Sequence, residues 1–327
     1  MDIVSVKEYL GAAWTSVSER IASSLDSDID LLNVTNRSIL SHSGKQLRPV
    51  LALLFARACS AGEMTESTVR YAAAAELLHN ATLLHDDVAD GSDQRRGAPT
   101  IRSLMGPSVS VLIGDYWLVR AMELILAGGG SDARVIKIFS KTLSDLAEGE
   151  MLQLQKARSG DTTEDDYFRI IYSKTASLFE AACLSAVVSV SAPAEYENAA
   201  REYAVALGNA FQIKDDILDY DGTESVGKPL GVDILEQKIT LPLIGAMTNA
   251  GAEAQTRMRS MVKDIVEHPE YRDEVVKFVK ENGGLDYAAA ELDKYVALAV
   301  RALEVLPDSY EKDCLVELAH FTAIRKK

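Results

Sequence analysis

Apolar residues recur at three- and four-residue intervals along nearly the whole chain, a spacing that gathers them on one face of an α-helix. The pattern predicts amphipathic helices over 2–25, 46–60, 67–90, 107–127, 133–157, 164–191, 195–220, 238–249, 287–305 and 311–325, with one or two more within 254–282. No alternating run of useful strand length interrupts them. Punctuation is sparse and short: GGGSD at 128–132, ARSGD at 157–161, SAP at 191–193, NGG at 282–284 and LPD at 306–308. Such stretches read as tight connections between helices. No linker, low-complexity tract or charge block divides the chain. The expectation is an all-α fold, one large bundle of long helices forming a single domain over 1–327.

Composition agrees with that expectation: hydrophobic residues are 47% of the chain and aromatics only 6%, which favours helix over sheet. The formal net charge of −15 argues against non-specific binding of nucleic acid or anionic membrane. Cys59, Cys183 and Cys314 have no metal-binding spacing, and an odd count does not suit a disulfide framework. They read as core residues of a cytoplasmic protein. The N-terminus has neither the basic nor the long apolar region of a signal peptide. The most apolar stretch, VSVLIGDYWLVRAMELILAGGG, is broken by Asp115, Arg120 and Glu123, so no membrane span is expected.

Candidate chemistry sits in two acidic clusters, Asp86-Asp87-Val88-Ala89-Asp90 and Asp215-Asp216-Ile217-Leu218-Asp219, both of the form DDxxD. On a helix the first and last Asp of each share a face. Each cluster ends an apolar helical stripe, so its carboxylates face a cavity or its rim. Hard oxygen ligands of this kind suit Mg²⁺, which keeps waters and substrate phosphates as its other ligands. Metal would then relieve the repulsion among like charges. Neither cluster has the central Gly and closing Glu of an EF-hand. Cations answer the acids: Lys45 and Arg48 near a helix start, where an anion is favoured, Arg95 and Arg96 as adjacent guanidiniums, Lys174 within RIIYSKTASLFEAA, and Lys238. His79 lies two helical turns before Asp86 and points the same way.

GKQLRP, LLHNATLLHDDVADGSDQRRGAPT, KTASLF, GNAFQIKDDILDYDG and GKPLGVDILEQKITLPLI occur in this order between residues 44 and 244, and together they strongly resemble the all-trans polyprenyl diphosphate synthases. The resemblance implies a helical bundle around a deep central cavity, commonly in a homodimer, and elongation of an allylic diphosphate by isopentenyl diphosphate. It implies that Asp86, Asp87, Asp90, Asp215, Asp216 and Asp219 bind three Mg²⁺ ions on the allylic diphosphate. By the same resemblance Arg95, Lys174 and Lys238 help hold that diphosphate, and Lys45, Arg48, His79 and Arg96 hold isopentenyl diphosphate. Thr175 and Gln212 match positions beside the developing allylic cation. Ala89 and Gln237 depart from the commonest pattern, which has a larger aliphatic residue and Gly there.

In this family, bulk just upstream of the first DDxxD limits product length. Ala81 and Thr82 are small, and Leu78, Ala75 and Tyr71 follow along roughly the same wall. A heptaprenyl or octaprenyl product is expected, octaprenyl favoured, with Met151 or Leu154 as candidate floor of the tunnel. Alternatives are a geranylgeranyl or farnesyl diphosphate synthase, a class I terpene cyclase, and a non-catalytic partner subunit. The second full DDxxD and the additional cationic site favour condensation over cyclisation. Retention of every aspartate and cation disfavours a non-catalytic subunit.

Overall fold

The computed structural model describes residues 3–95, 97–127, 133–221 and 230–325. The chain is 81% helical, and the expected all-α class is what the structure has. In order, the helices are α1 (Ile3–Leu10), α2 (Ala12–Ser24), α3 (Asp30–Ser41), α4 (Leu47–Cys59), α5 (Glu66–Ala89), α6 (Ile101–Met105), α7 (Pro107–Leu126), α8 (Ala133–Ser159) and α9 (Glu164–Ile171). A π-helical turn, Tyr172–Ala176, leads into α10 (Ser177–Ser189). Then follow α11 (Ala194–Asp221), α12 (Val232–Leu235), α13 (Leu241–Ala250), α14 (Ala252–Lys263), α15 (Tyr271–Glu281), α16 (Gly284–Ala302) and α17 (Tyr310–Ile324). The two strands among the described residues, β1 (Gln94–Arg95) and β2 (Ala98–Pro99), form a minimal antiparallel hairpin.

The helices expected from periodicity are present, with local differences; the short helices α6 and α12 were not expected, and three further differences have a physical reason. The predicted helix over 2–25 is two helices, because Gly11 takes a φ of 50° and breaks the ladder. The stretch 164–191 is interrupted by the π turn. Helix α3 went unforeseen because its buried positions are polar, Thr35 and Asn36. Asn36 accepts from Trp117 Nε1 at 2.8 Å and donates to the Leu25 carbonyl at 3.0 Å, partners that only folding supplies.

Residues divide into two compact units: Met1–Ser140 with Ala181–Ala200 and Val305–Leu315, and Lys141–Glu180 with Arg201–Glu304 and Val316–Lys327. In the first, α5 is central and packs on α7, α2 and α4. Its start is set by a Thr65/Thr68 capping box. The run Ala72–Ala75 with Leu77 and Leu78 is fully buried, and such small side chains let the neighbouring helices come close. Ser110 Oγ of α7 donates to the Leu84 carbonyl at 2.9 Å. In the second unit α13 packs on α16, α14 and α15. That contact is close: a Cβ on Gly284 would lie 2.1 Å from the Pro242 carbonyl oxygen.

Candidate active site

Each unit carries one aspartate motif. In the first unit, Asp86 and Asp90 close α5, and the helix stops as Gly91 turns to a φ of 65°. Asp86 is half-buried and Asp90 exposed, whereas Asp87 turns inward and is buried. Asp87 Oδ1 accepts from Arg95 Nε at 2.8 Å. Burial pushes the Asp87 carboxyl above its usual pKa, and the guanidinium of Arg95 opposes this without cancelling it. The β1–β2 hairpin, which periodicity did not predict, sets the position of Arg95.

Lys45 and Arg48 flank the start of α4, and His79 lies on α5, which packs against it. Between the two cations, Gln46 adopts a left-handed φ of 53°, and its Oε1 accepts from Lys7 Nζ at 3.1 Å. Arg96 lies outside the described residues. Ala81 is buried, as are Leu78, Ala75 and Tyr71, while Thr82 is half-buried with its hydroxyl on the His79 carbonyl at 2.8 Å. Met151 and Leu154 are 67% and 43% exposed in the single chain.

The second unit gathers most of the remaining candidates around a cavity of about 120 Å³, lined among others by Tyr167, Lys174, Gln212, Asp216, Asp233 and Lys238. Three of the lining residues, Gln212, Asp216 and Tyr167, belong to one continuous hydrogen-bonded chain. Thr175 Oγ1 donates to Gln212 Oε1 at 3.0 Å, Gln212 Nε2 donates to Asp216 Oδ1 at 2.9 Å, and the Tyr167 hydroxyl donates to Asp216 Oδ2 at 2.6 Å. Burial, with Asp233 nearby, pushes the Asp216 carboxyl well above its usual value, against the lowering effect of those two donors.

Lys174 and Thr175 stand on the π turn, which widens the helix by one residue per turn where it meets two glycines. A Cβ on Gly149 would fall 2.6 Å from Ser173 Cβ, and one on Gly208 would fall 2.5 Å from Ala176 Cα. Lys174 Nζ contacts Glu150 at 2.7 Å and donates to Gln153 at 3.1 Å, and Lys238 Nζ contacts Glu236 at 2.5 Å.

Both motifs share one layout: the second Asp is buried and bonded by protein, and the first and fifth are more open. The repulsion expected to await metal is already partly relieved. In the second motif Arg325 Nη2 reaches Asp215 Oδ1 at 2.8 Å, stacked on the Phe211 ring. Asp219 accepts the Val232 and Asp233 amides at 3.1 and 3.2 Å. Tyr167, Arg325 and Asp233 were not singled out in the sequence. Their partners are distant or local only in three dimensions, and no spacing marks them.

The donor set suits Mg²⁺. All six motif side chains offer hard oxygens, and a carboxylate that accepts one or two hydrogen bonds retains lone pairs for a metal. Among the described residues no three acidic, His or Cys side chains already converge on one point. No helix among the described residues is long and apolar enough to cross a membrane.

A family model described as polyprenyl synthetase matches residues 29–281. The chain is 36% identical to an octaprenyl diphosphate synthase of Escherichia coli over the full length of both. It superposes with a TM-score of 0.91 on the crystal structure of a decaprenyl diphosphate synthase from Rhodobacter capsulatus, at 34% identity and complete coverage of both chains. A polyprenyl synthase from Caulobacter crescentus, solved with calcium and isoprenyl diphosphate, superposes at 0.90 with 32% identity, covering 100% of this chain and 98% of that one.

Proposed function

This chain belongs to the polyprenyl synthetase family, and on that premise we propose that it is a trans-prenyltransferase that condenses an allylic diphosphate with successive isopentenyl diphosphates, releasing octaprenyl diphosphate. The two units act as one catalytic domain. The most direct support is the chain Gln212–Asp216–Tyr167 in one cavity with Lys174 and Lys238, extended behind the wall by Thr175. A buried acid, a fixed dipole and two cations together suit a substrate that carries a diphosphate and develops positive charge on carbon.

Asp86, Asp90, Asp215 and Asp219 are the direct Mg²⁺ ligands in this reading, three ions in all, while Asp87 and Asp216 brace the motifs from inside. Bound Mg²⁺ supplies neutralisation of the diphosphate and so makes it a better leaving group. Arg95, Lys174 and Lys238 donate to phosphate oxygens whose charge grows as the C–O bond opens. The hydroxyl of Thr175 and the amide oxygen of Gln212 turn dipoles toward the allylic carbon. Lys45, Arg48, His79 and Arg96 hold isopentenyl diphosphate in attack geometry. The proton lost after bond formation goes to the departed diphosphate. Small side chains at Ala81 and Thr82 leave the growing chain its path, and apolar walls exclude the water that would trap the cation.

The enzyme works in the cytoplasm as a homodimer. Leu112, Val119 and Leu126 recur every seven residues on α7 and are exposed, the first at 66%, a stripe of the kind that a second copy covers.

Incubation with Mg²⁺, isopentenyl diphosphate and farnesyl diphosphate, followed by mass analysis, tests the reading. Octaprenyl diphosphate is expected. Absence of elongation refutes the synthase, cyclic hydrocarbons point to a cyclase, and a geranylgeranyl product alone overturns the assigned length.

A further inference from the structure

Gln237 combines two features that explain one another. Its backbone is left-handed, with a φ of 58°, a region that side chains with a Cβ avoid. The turn around it is a Schellman motif that ends α12: the Lys238 amide donates to the Asp233 carbonyl at 2.9 Å, and the Gln237 amide donates to the Ile234 carbonyl at 2.9 Å. Gln237 therefore occupies the one position of this motif where glycine is at ease. In place of that ease it has an anchor. Its Nε2 donates at 2.6 Å to the carbonyl of Lys263, the last residue of α14, where the helix has no further turn to supply a donor. The anchor point is itself fixed, because Arg259 of α14 donates to the Gly160 and Thr162 carbonyls, each at 2.9 Å.

We propose that Gln237 is a positioning residue that aims Lys238 into the cavity by tying its turn to the end of α14. Three groups of the site depend on that turn. Lys238 follows Gln237 directly. Asp233 gives its carbonyl to the turn and its side chain to the cavity. The amides of Val232 and Asp233 hold Asp219. Losing the side-chain anchor lets the turn rock, and the lysine ammonium at its far end moves most. Glycine at this position would relax the backbone and still lose the aim.

The inference rests on the diphosphate-binding role proposed above for Lys238, and the measurements separate the two. Gln237→Gly removes anchor and strain together, Gln237→Ala removes the anchor alone, and Gln237→Glu keeps the length but cannot donate. In all three, hydrogen exchange of the Lys238 amide should quicken while exchange in α5 and α7 stays unchanged. The KM for farnesyl diphosphate and the Kd of inorganic diphosphate with Mg²⁺ should rise about two- to tenfold, the scale of one neutral hydrogen bond. The KM for isopentenyl diphosphate should hold. Wild-type exchange at Lys238 with wild-type KM in the Gly and Glu variants overturns the inference. So does a parallel rise of both KM values with a lower Tm, which marks a purely structural role. A wild-type enzyme that elongates nothing refutes the proposed function, and the exchange of the Lys238 amide still decides the anchor.

Discussion

Gly208 offers a direct test of how packing places the catalytic turn. In Gly208→Ala the new Cβ would start 2.5 Å from Ala176 Cα and 2.7 Å from Ala176 Cβ. Carbon atoms rest at about 3.5–4.0 Å, so α11 and the π turn must separate by roughly 1 Å. The obstacle is backbone, and no rotamer change removes it. Alanine in a helix is worth about 1 kcal/mol over glycine, while overpacking costs about 1–3 kcal/mol. The net loss of stability is then about 0–2 kcal/mol, a fall in Tm of a few degrees at most for a chain of this size. Activity should suffer far more. Lys174 and Thr175 ride on the displaced turn, and a misplacement of about 1 Å at a reacting centre costs roughly a hundredfold in rate. Thermal unfolding and single-turnover elongation should therefore separate: a small shift in Tm and a large loss in rate. Adding Ala176→Gly removes one of the two clashing atoms and should restore part of the rate. A Gly208→Ala enzyme with wild-type Tm and wild-type rate would refute the packing account of the turn.

Other outcomes follow from the same geometry. Thr82→Phe should shorten the product, read by mass analysis, and an unchanged length would remove Thr82 from the tunnel wall. Asp86→Ala should abolish turnover with an unfolding free energy within about 1 kcal/mol of wild type, since removing a half-exposed side chain at a helix end costs little; folding loss with full activity per folded molecule would contradict this. Leu112→Asp should dissociate the dimer, measured by sedimentation, and a dimer that survives would exclude the α7 stripe. Asp166 caps α9 and pairs with Lys156 at 2.9 Å; burial alone would raise its pKa, but the ammonium and the Thr163 amide and hydroxyl prevail and hold it at about 2, below its ordinary 3.8. A depressed carboxylate stabilises the fold above its unfolded value and loses that contribution as pH falls toward its folded value. The stability gap between wild type and Asp166→Ala should be about 1–2 kcal/mol at neutral pH and shrink as pH drops from 3.8 toward 2, measured by urea unfolding; a gap that does not change with pH would exclude the pair.

Helix positions were legible because their cause is local. The 3.6-residue period of apolar side chains needs no partner to be read, and it located α5, α7, α8 and α11 to within a few residues. The aspartate motifs were legible for a related reason, since i and i+4 share a face on any helix, and that geometry alone pairs Asp86 with Asp90 and Asp215 with Asp219. Helix α3 and the hairpin that carries Arg95 were not, because they rest on partners far along the chain or on a pairing too short to leave a pattern.

Within the motifs, adjacent aspartates look alike in the sequence. Tertiary structure made them different: Asp87 turned toward Arg95 and Asp216 toward Tyr167 and Gln212, both out of solvent, while their neighbours stayed open. It also decided the π turn beneath Lys174, through two glycines on α8 and α11 that only folding brings against it. The left-handed turn at Gln237 belongs to the same class, for its anchor lies 26 residues onward at Lys263. Residue type and helical period thus determined which chemistry this chain carries and on which helices. Which carboxylate stays open, and where each lysine points, depend on contacts between segments distant in sequence, and those contacts exist only once the chain has folded.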